Sequence, residues 1–173
     1  MPARTPKETF LILLSHVRDA TEKGNKIYDE LGKLANDPQV QEALEARAFV
    51  SQSVLAKIDQ CFKIIGEQPV KLSGRLQEIF LEDFRKELNE IQSPAAKRLF
   101  TLAKLVHLTH LRIGEYMALV AAADASGHHG VGVLLESCLA DKLAFVERTR
   151  RLIREVVEVR VAERKGVEAE HAA

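Results

Sequence analysis

The sequence predicts an all-α protein: an antiparallel four-helix bundle with an additional short helix in the connection between the second and third long helices. Three observations carry this reading. Apolar residues recur at alternating three- and four-residue spacings along four long stretches. The glycines and prolines, nine and five in number, fall mostly between those stretches. Nowhere does polarity alternate residue by residue, as a half-buried strand requires.

The elements follow in order. Thr5-Pro6-Lys7-Glu8 opens the first helix, with Thr5 as cap, Pro6 in the first turn and Glu8 closing a capping box. Its stripe is Phe10, Leu13, Val17, Ala20, Gly24, Ile27, Leu31 and Leu34. Asn36-Asp37-Pro38 ends that helix and starts the next: Asn36 tolerates a left-handed cap, and Asp37 caps the new N-terminus. The second stripe is Val40, Leu44, Arg47, Ser51, Val54, Ile58, Cys61 and Ile65, and Gly66-Glu67-Gln68-Pro69 stops it. Ser73 is placed to cap a short third helix reaching about Ile91, whose apolar set is Leu76, Ile79, Phe80, Phe84 and Leu88. Ser93-Pro94 starts the fourth helix, with Leu99, Leu102, Val106, Thr109, Ile113, Tyr116, Val120 and Ala123 on its stripe. Asp124 to Gly127 breaks it. The fifth runs from about His129 toward Ala162, through Val131, Leu134, Cys138, Asp141, Phe145, Leu152, Val156 and Val159. A sustained seven-residue repeat places helices close to parallel or antiparallel. The very short first turn makes the first pair antiparallel. Long helices of roughly 25–30 residues span ~40 Å. The bundle is expected over residues 5–162, and residues 163–173 read as a flexible polar tail.

Composition narrows the function. The chain has 173 residues, 46% hydrophobic and 29% charged, enough for one domain with a real core. Lys+Arg and Asp+Glu both number 25, so there is no basic excess for nucleic acid, and little self-repulsion opposes association. Phe10 to Leu14 is too short for a signal-peptide core, and no stretch approaches the ~20 apolar residues of a membrane span. A cytoplasmic protein is expected. Cys61 and Cys138 read as small core residues in a reducing compartment. In the fourth helix Leu105, Leu108 and Leu111 lie off the main stripe, so a second face must be covered by the third helix or by another subunit. A homodimer is expected.

Polar or small residues interrupt the stripes near mid-helix: Gly24, then Arg47 and Ser51, then Thr109 with His110 and Arg112 at its edges, then Asp141. A bundle builds metal and cofactor sites at such a level.

The stretch HVRDATEKGNKIYDELGKLA (residues 16–35) resembles the first helix of the YciE/YciF-type ferritin-like family of stress-associated bacterial proteins. ALEARAFVSQSVLAKIDQCFKIIGEQP (43–69) resembles the family's second helix and turn. HLTHLRIGEYMALVAAADASG (107–127) and LLESCLADKLAFVERTRRL (134–152) resemble its last two helices. The likeness covers roughly residues 10–155 and implies a ferritin-like bundle. It also implies ligands that this chain lacks: a glutamate at Gly24, a histidine and a glutamate at Arg47 and Val50, and glutamates at Thr109 and Arg112. Asp141 keeps a carboxylate, and His110 stands where a histidine is common. A bridged metal pair needs about six protein ligands, a Glu from each of two helices and Glu-x-x-His from each of the others.

The expectation is therefore a vestigial site that holds no metal or cofactor, with Arg47 or Arg112 paired to Asp141 in place of the ion. The alternative for both arginines is to reach solvent on their long stems. The leading functional reading is a non-catalytic bundle, stress-associated as the resemblance implies, acting through self-association or a protein partner. Two alternatives stand beside it: a di-metal (iron or manganese) oxidase or iron-handling protein, and a bundle binding a small apolar ligand beside Gly24 and Ser51. His107 and His110 are spaced for two-ligand metal binding, which His16 could join, but no acidic partner shares their level. His128-His129 reads as solvent-facing, Glu168-x-x-His171 as accidental, and GHHGVG (127–132) lacks the lysine of a phosphate loop. The mixed-charge run from Glu147 to Arg160 reads as a solvated helix face.

Overall fold

A computed structural model describes residues 5–72 and 75–171, and the side chains among them except those of Asn25 and residues 160–171. The expected cap Ser73 lies outside the described residues. Five helices are described: α1 (Pro6–Ala35), α2 (Pro38–Ile65), α3 (Leu76–Glu90), α4 (Pro94–Ala125) and α5 (His129–His171).

The ends of the helices are set by local chemistry. Thr5 accepts a hydrogen bond from the Glu8 backbone N–H while Glu8 accepts from the Thr5 N–H, 3.2 and 3.1 Å, which closes the capping box. Asn36 takes the left-handed conformation, φ 48°, and Asp37 Oδ1 accepts from Gln39 and Val40 N–H at 3.0 Å. Gly66 ends α2 with φ 68°, a conformation open to glycine at no steric cost. At its far end α5 stays helical to His171, beyond the Ala162 boundary read from the sequence. Residues 163–171, ERKGVEAEH, are mostly strong helix formers, so propensity favours the extension.

Contacts at both ends of each pair define the topology. Lys7–Glu67 (2.7 Å) and Arg18–Asp59 (2.7 Å) run α1 against α2 in opposite directions. Lys57–Asp141 (3.3 Å) and Arg148–Glu42 (2.9 Å) do the same for α2 and α5. Every neighbour around the four-membered ring α1–α2–α5–α4 is thus antiparallel, which makes α2 and α4 point the same way. The connection from Gly66 to Ser93 must return along the bundle's full length, and α3 fills it. It lies in the groove between α1 and α4: Gln77 Nε2 donates to Ala20 O (3.3 Å), Arg85 pairs with Glu30, and Lys104 with Glu87. Phe84 stacks on Phe100 with centroids 5.6 Å apart. That covers Leu105 and Leu108, so α3 buries the second apolar face of α4, while Leu111 stays exposed.

The core has two apolar halves. One joins Leu14, Val17, Val54, Ile58, Cys61, Tyr116, Leu119, Leu135 and Cys138. The other joins Ile27, Leu31, Val40, Leu44, Phe84, Leu102, Leu105, Phe145 and Val156. Between them lies the polar level.

Candidate functional site

Four long helices each send polar or small residues to the middle of the bundle. There they surround a cavity of about 20 Å³ lined by Thr21, Gly24, Tyr28, Arg47, Ser51, Gln77, Leu108, Arg112, Tyr116 and Lys142, among others. A space of that size holds about one water molecule. The cavity exists partly because Gly24 has no side chain, since a Cβ there would come within 3.5 Å of the Tyr28 ring.

Arg47 is the central group. It is 4% exposed, and its Nε and Nη1 have no hydrogen-bond partner. Its guanidinium carbon sits 5.6 Å from the Tyr28 ring centroid and 5.5 Å from that of Phe145. Cation–π attraction at a desolvated site recovers about 2 kcal/mol, less than the several kcal/mol that burying an unpaired charge costs.

Lys142 is the second buried cation, 3% exposed, with Nζ 5.4 Å from the Tyr116 ring centroid. Burial, and then the charges of Arg47 and Arg112, hold its amine down to about 7, against the pull of Cys138 and Asp141. Tyr116 is fully buried and its hydroxyl lacks a hydrogen bond, so burial also pushes that phenol far up. Thr21 is its polar neighbour and works against that shift, while its own hydroxyl proton goes to Val17 O at 2.7 Å. Arg112 lines the cavity while its Nη1 bonds both Glu115 oxygens, 3.1 and 2.8 Å, so its charge is balanced locally.

The expected pairing of Arg47 or Arg112 with Asp141 does not form. Asp141 is half-buried and turned to Lys57 on α2. The buried stripe of α5 runs Val131, Leu135, Cys138, Lys142, Phe145, Thr149 and Val156, one position away from the predicted line at Leu134 and Asp141. Nor does Arg47 reach solvent on its stem, because the Tyr28 and Phe145 rings enclose it.

The other predicted positions separate. Gly24, Arg47 and Arg112 meet at the cavity. Val50 packs, partly buried, on the first core half. Thr109 is buried but donates to Leu105 O at 2.8 Å, so it is satisfied within its own helix. Ser15, Ser51, Thr21, Thr101 and Thr149 do the same with the carbonyl four residues earlier. His110 and His107 are exposed, and His110 Nδ1 stays at Val106 O. His16 lines an outer recess of about 190 Å³ with Asp19, Leu72, Leu76, Gln77, Arg112 and Glu115. Gln77 and Arg112 border both this recess and the inner cavity. His128 and His129 are exposed, and the side chains of Glu168 and His171 lie outside those described.

The donor set does not fit a metal pair. Among the described residues no three His, Cys, Asp or Glu side chains come together as an ion needs. The cavity wall carries no carboxylate, and three of its residues are cationic. Both thiols are buried in the apolar half: burial, and then Cys138, push Cys61 up to about 12, and burial pushes Cys138 up to about 11. Neither is poised as a nucleophile.

The sequence profile of the family described as domain of unknown function DUF892 matches residues 5–162. The chain belongs to the DUF892 family. The solved stress protein YciF of E. coli superposes with a TM-score of 0.83 at 18% identity, over 90% of this chain and 99% of that one. YcfI of Rhodopseudomonas palustris gives 0.79 at 19% identity, over 87% and 98%. A protein of Xanthomonas campestris pv. campestris gives 0.66 at 14%, over 93% and 99%. Among curated proteins no sequence matches. The DUF892 chain thus shares the YciF helical fold along nearly its whole length. Among its described residues no helix is long and apolar enough to cross a membrane.

The sequence reading missed Lys142, Tyr28 and Tyr116 as site residues. Lys142 had a signal: it lies four residues after Cys138 and three before Phe145, a spacing as good as that of Asp141.

Proposed function

We propose that this DUF892 protein is a non-catalytic ferritin-like bundle whose di-metal centre has been replaced. It acts in the cytoplasm through self-association or a protein partner, in the stress context that the name of the E. coli neighbour suggests. The observation that carries the reading is the cavity wall: it holds Arg47, Arg112 and Lys142 and no carboxylate or histidine, whereas a di-metal protein needs about six such ligands at this level. The unbalanced charge of Arg47 there repels any cation that enters. Large exposed apolar side chains on three long helices, Phe49 (78%), Met117 (60%) and Val133 (67%), support an association role.

The competing reading, a di-metal oxidase or iron-handling protein, makes a different demand on purified protein. Elemental analysis should find less than one equivalent of iron, manganese and zinc per chain. About two ions per chain would sink the proposal. Light scattering should give twice the chain mass, and a monomer at all concentrations leaves only a heterologous partner. An apolar ligand beside Gly24 and Ser51 is disfavoured, because the space there is about 20 Å³ and charged.

A further inference from the structure

The groups around the inner cavity that lack partners are donors. Arg47 Nε and Nη1 are buried and unpaired, and so is the Tyr116 hydroxyl. The Lys142 ammonium is buried beside them with its neighbour Asp141 turned away to Lys57. Arg112 is balanced by Glu115, but nothing balances Arg47. A guanidinium keeps its charge wherever it sits. A water in the cavity can accept only two hydrogen bonds and offsets no charge. A spherical anion accepts from every donor around it and cancels the surplus. Size limits the choice: about 20 Å³ has room for one small ion and none for sulfate or phosphate. The outer recess lies directly beside the cavity, with Gln77 and Arg112 bordering both.

We propose that the centre of the bundle is an anion site: a single halide-sized monovalent anion, bound between the Arg47 guanidinium and the Lys142 ammonium with the Tyr116 hydroxyl donating to it. The fold keeps a charged ligand at the level where a ferritin-like bundle holds metals, with the signs of protein and ligand exchanged. This inference rests on the reading that no cation pair occupies the level.

Bromide is the probe. Crystals of the full chain soaked in bromide should show an anomalous peak between Arg47 and Lys142. In solution, bromide replacing gluconate at constant ionic strength, from about 1 to about 100 mM, should raise the melting midpoint of the full chain progressively. Arg47→Met and Lys142→Met should each abolish that rise. Should Arg47→Met fail to fold, the peak in the parent protein and the response of Lys142→Met still decide. A cavity without a peak and a midpoint indifferent to bromide overturn the proposal, as does an Arg47→Met protein that responds like the parent. A crystal peak without a solution effect marks an adventitious ion only, and also overturns it. Elemental analysis of the same preparation separates the two failures: bound metal defeats the loss of the di-metal centre, whereas neither metal nor bromide defeats the anion site alone.

Discussion

Lys142 links the polar level to the stability of the whole fold. Burial holds its amine down to about 7 in the folded chain, against an ordinary 10.5 when unfolded. Below about pH 7 it is charged in both states and the burial penalty is fully present. Between the two values the unfolded chain holds the extra proton, so stability rises with pH, by up to about 1.4 kcal/mol per unit. Cys61 and Cys138, raised from 9.0 to about 12 and about 11, act the other way above pH 9, because the unfolded thiols ionise first. Stability should therefore climb from about pH 7 to a maximum near pH 9 and fall above it, because the two thiols together outweigh the one amine. Urea unfolding in gluconate buffers checks this, and Lys142→Met should flatten the climb and be the more stable protein near pH 6. Asp141 belongs to a different class. It is half-exposed and its partner is a lysine at the rim, so Asp141→Ala should cost under ~1 kcal/mol. A loss of ~3 kcal/mol in the same titration would restore the buried arginine pair that the sequence suggested.

At the scale of the element, α1 gives up helix propensity at Gly24 and gains the cavity. The backbone there is ordinary helix, and an added Cβ would meet Tyr28 at 3.5 Å, a normal contact. Gly24→Ala should thus stabilise the protein by ~0.5–1 kcal/mol, seen as a higher urea midpoint with an unchanged slope. Measured in gluconate, a loss of stability would mean that the added methyl crowds the Tyr28 ring. The elements also show how a core filled with hydroxyls stays satisfied. Each Ser or Thr returns its proton to the preceding turn, so none of these hydroxyls needs a partner on another helix. Thr109 is such a residue, which is why its polarity did not signify a site.

At the scale of the molecule, the same-way run of α2 and α4 obliges the chain to travel back along the bundle. α3 makes that return productive by roofing the α1–α4 groove. Phe84 anchors it, buried among Leu88, Leu102 and Leu105 and stacked on Phe100. Phe84→Ala should cost ~3–5 kcal/mol and expose α3 to early proteolysis between Gly66 and Ser93. Protease fragments cut elsewhere first would show that the crossing helix is not the weakest-held element.

Much of this molecule is readable without coordinates. Capping residues act through bonds within a few positions, so Thr5, Asn36, Asp37 and Gly66 announced the helix ends, and the stripe of α2 from Val40 to Cys61 is the buried line observed. The seven-residue repeat determined the class of fold for the same local reason. What the repeat left open was rotation. Val131, Cys138 and Phe145 fit two faces of α5 equally well, and only packing against both α2 and α4 chose the one that buries Lys142 and turns Asp141 to the rim. Charge pairing is likewise non-local: Arg47 lies among rings contributed by α1 and α5, groups distant in sequence, and the cavity between them is a property of five helices meeting.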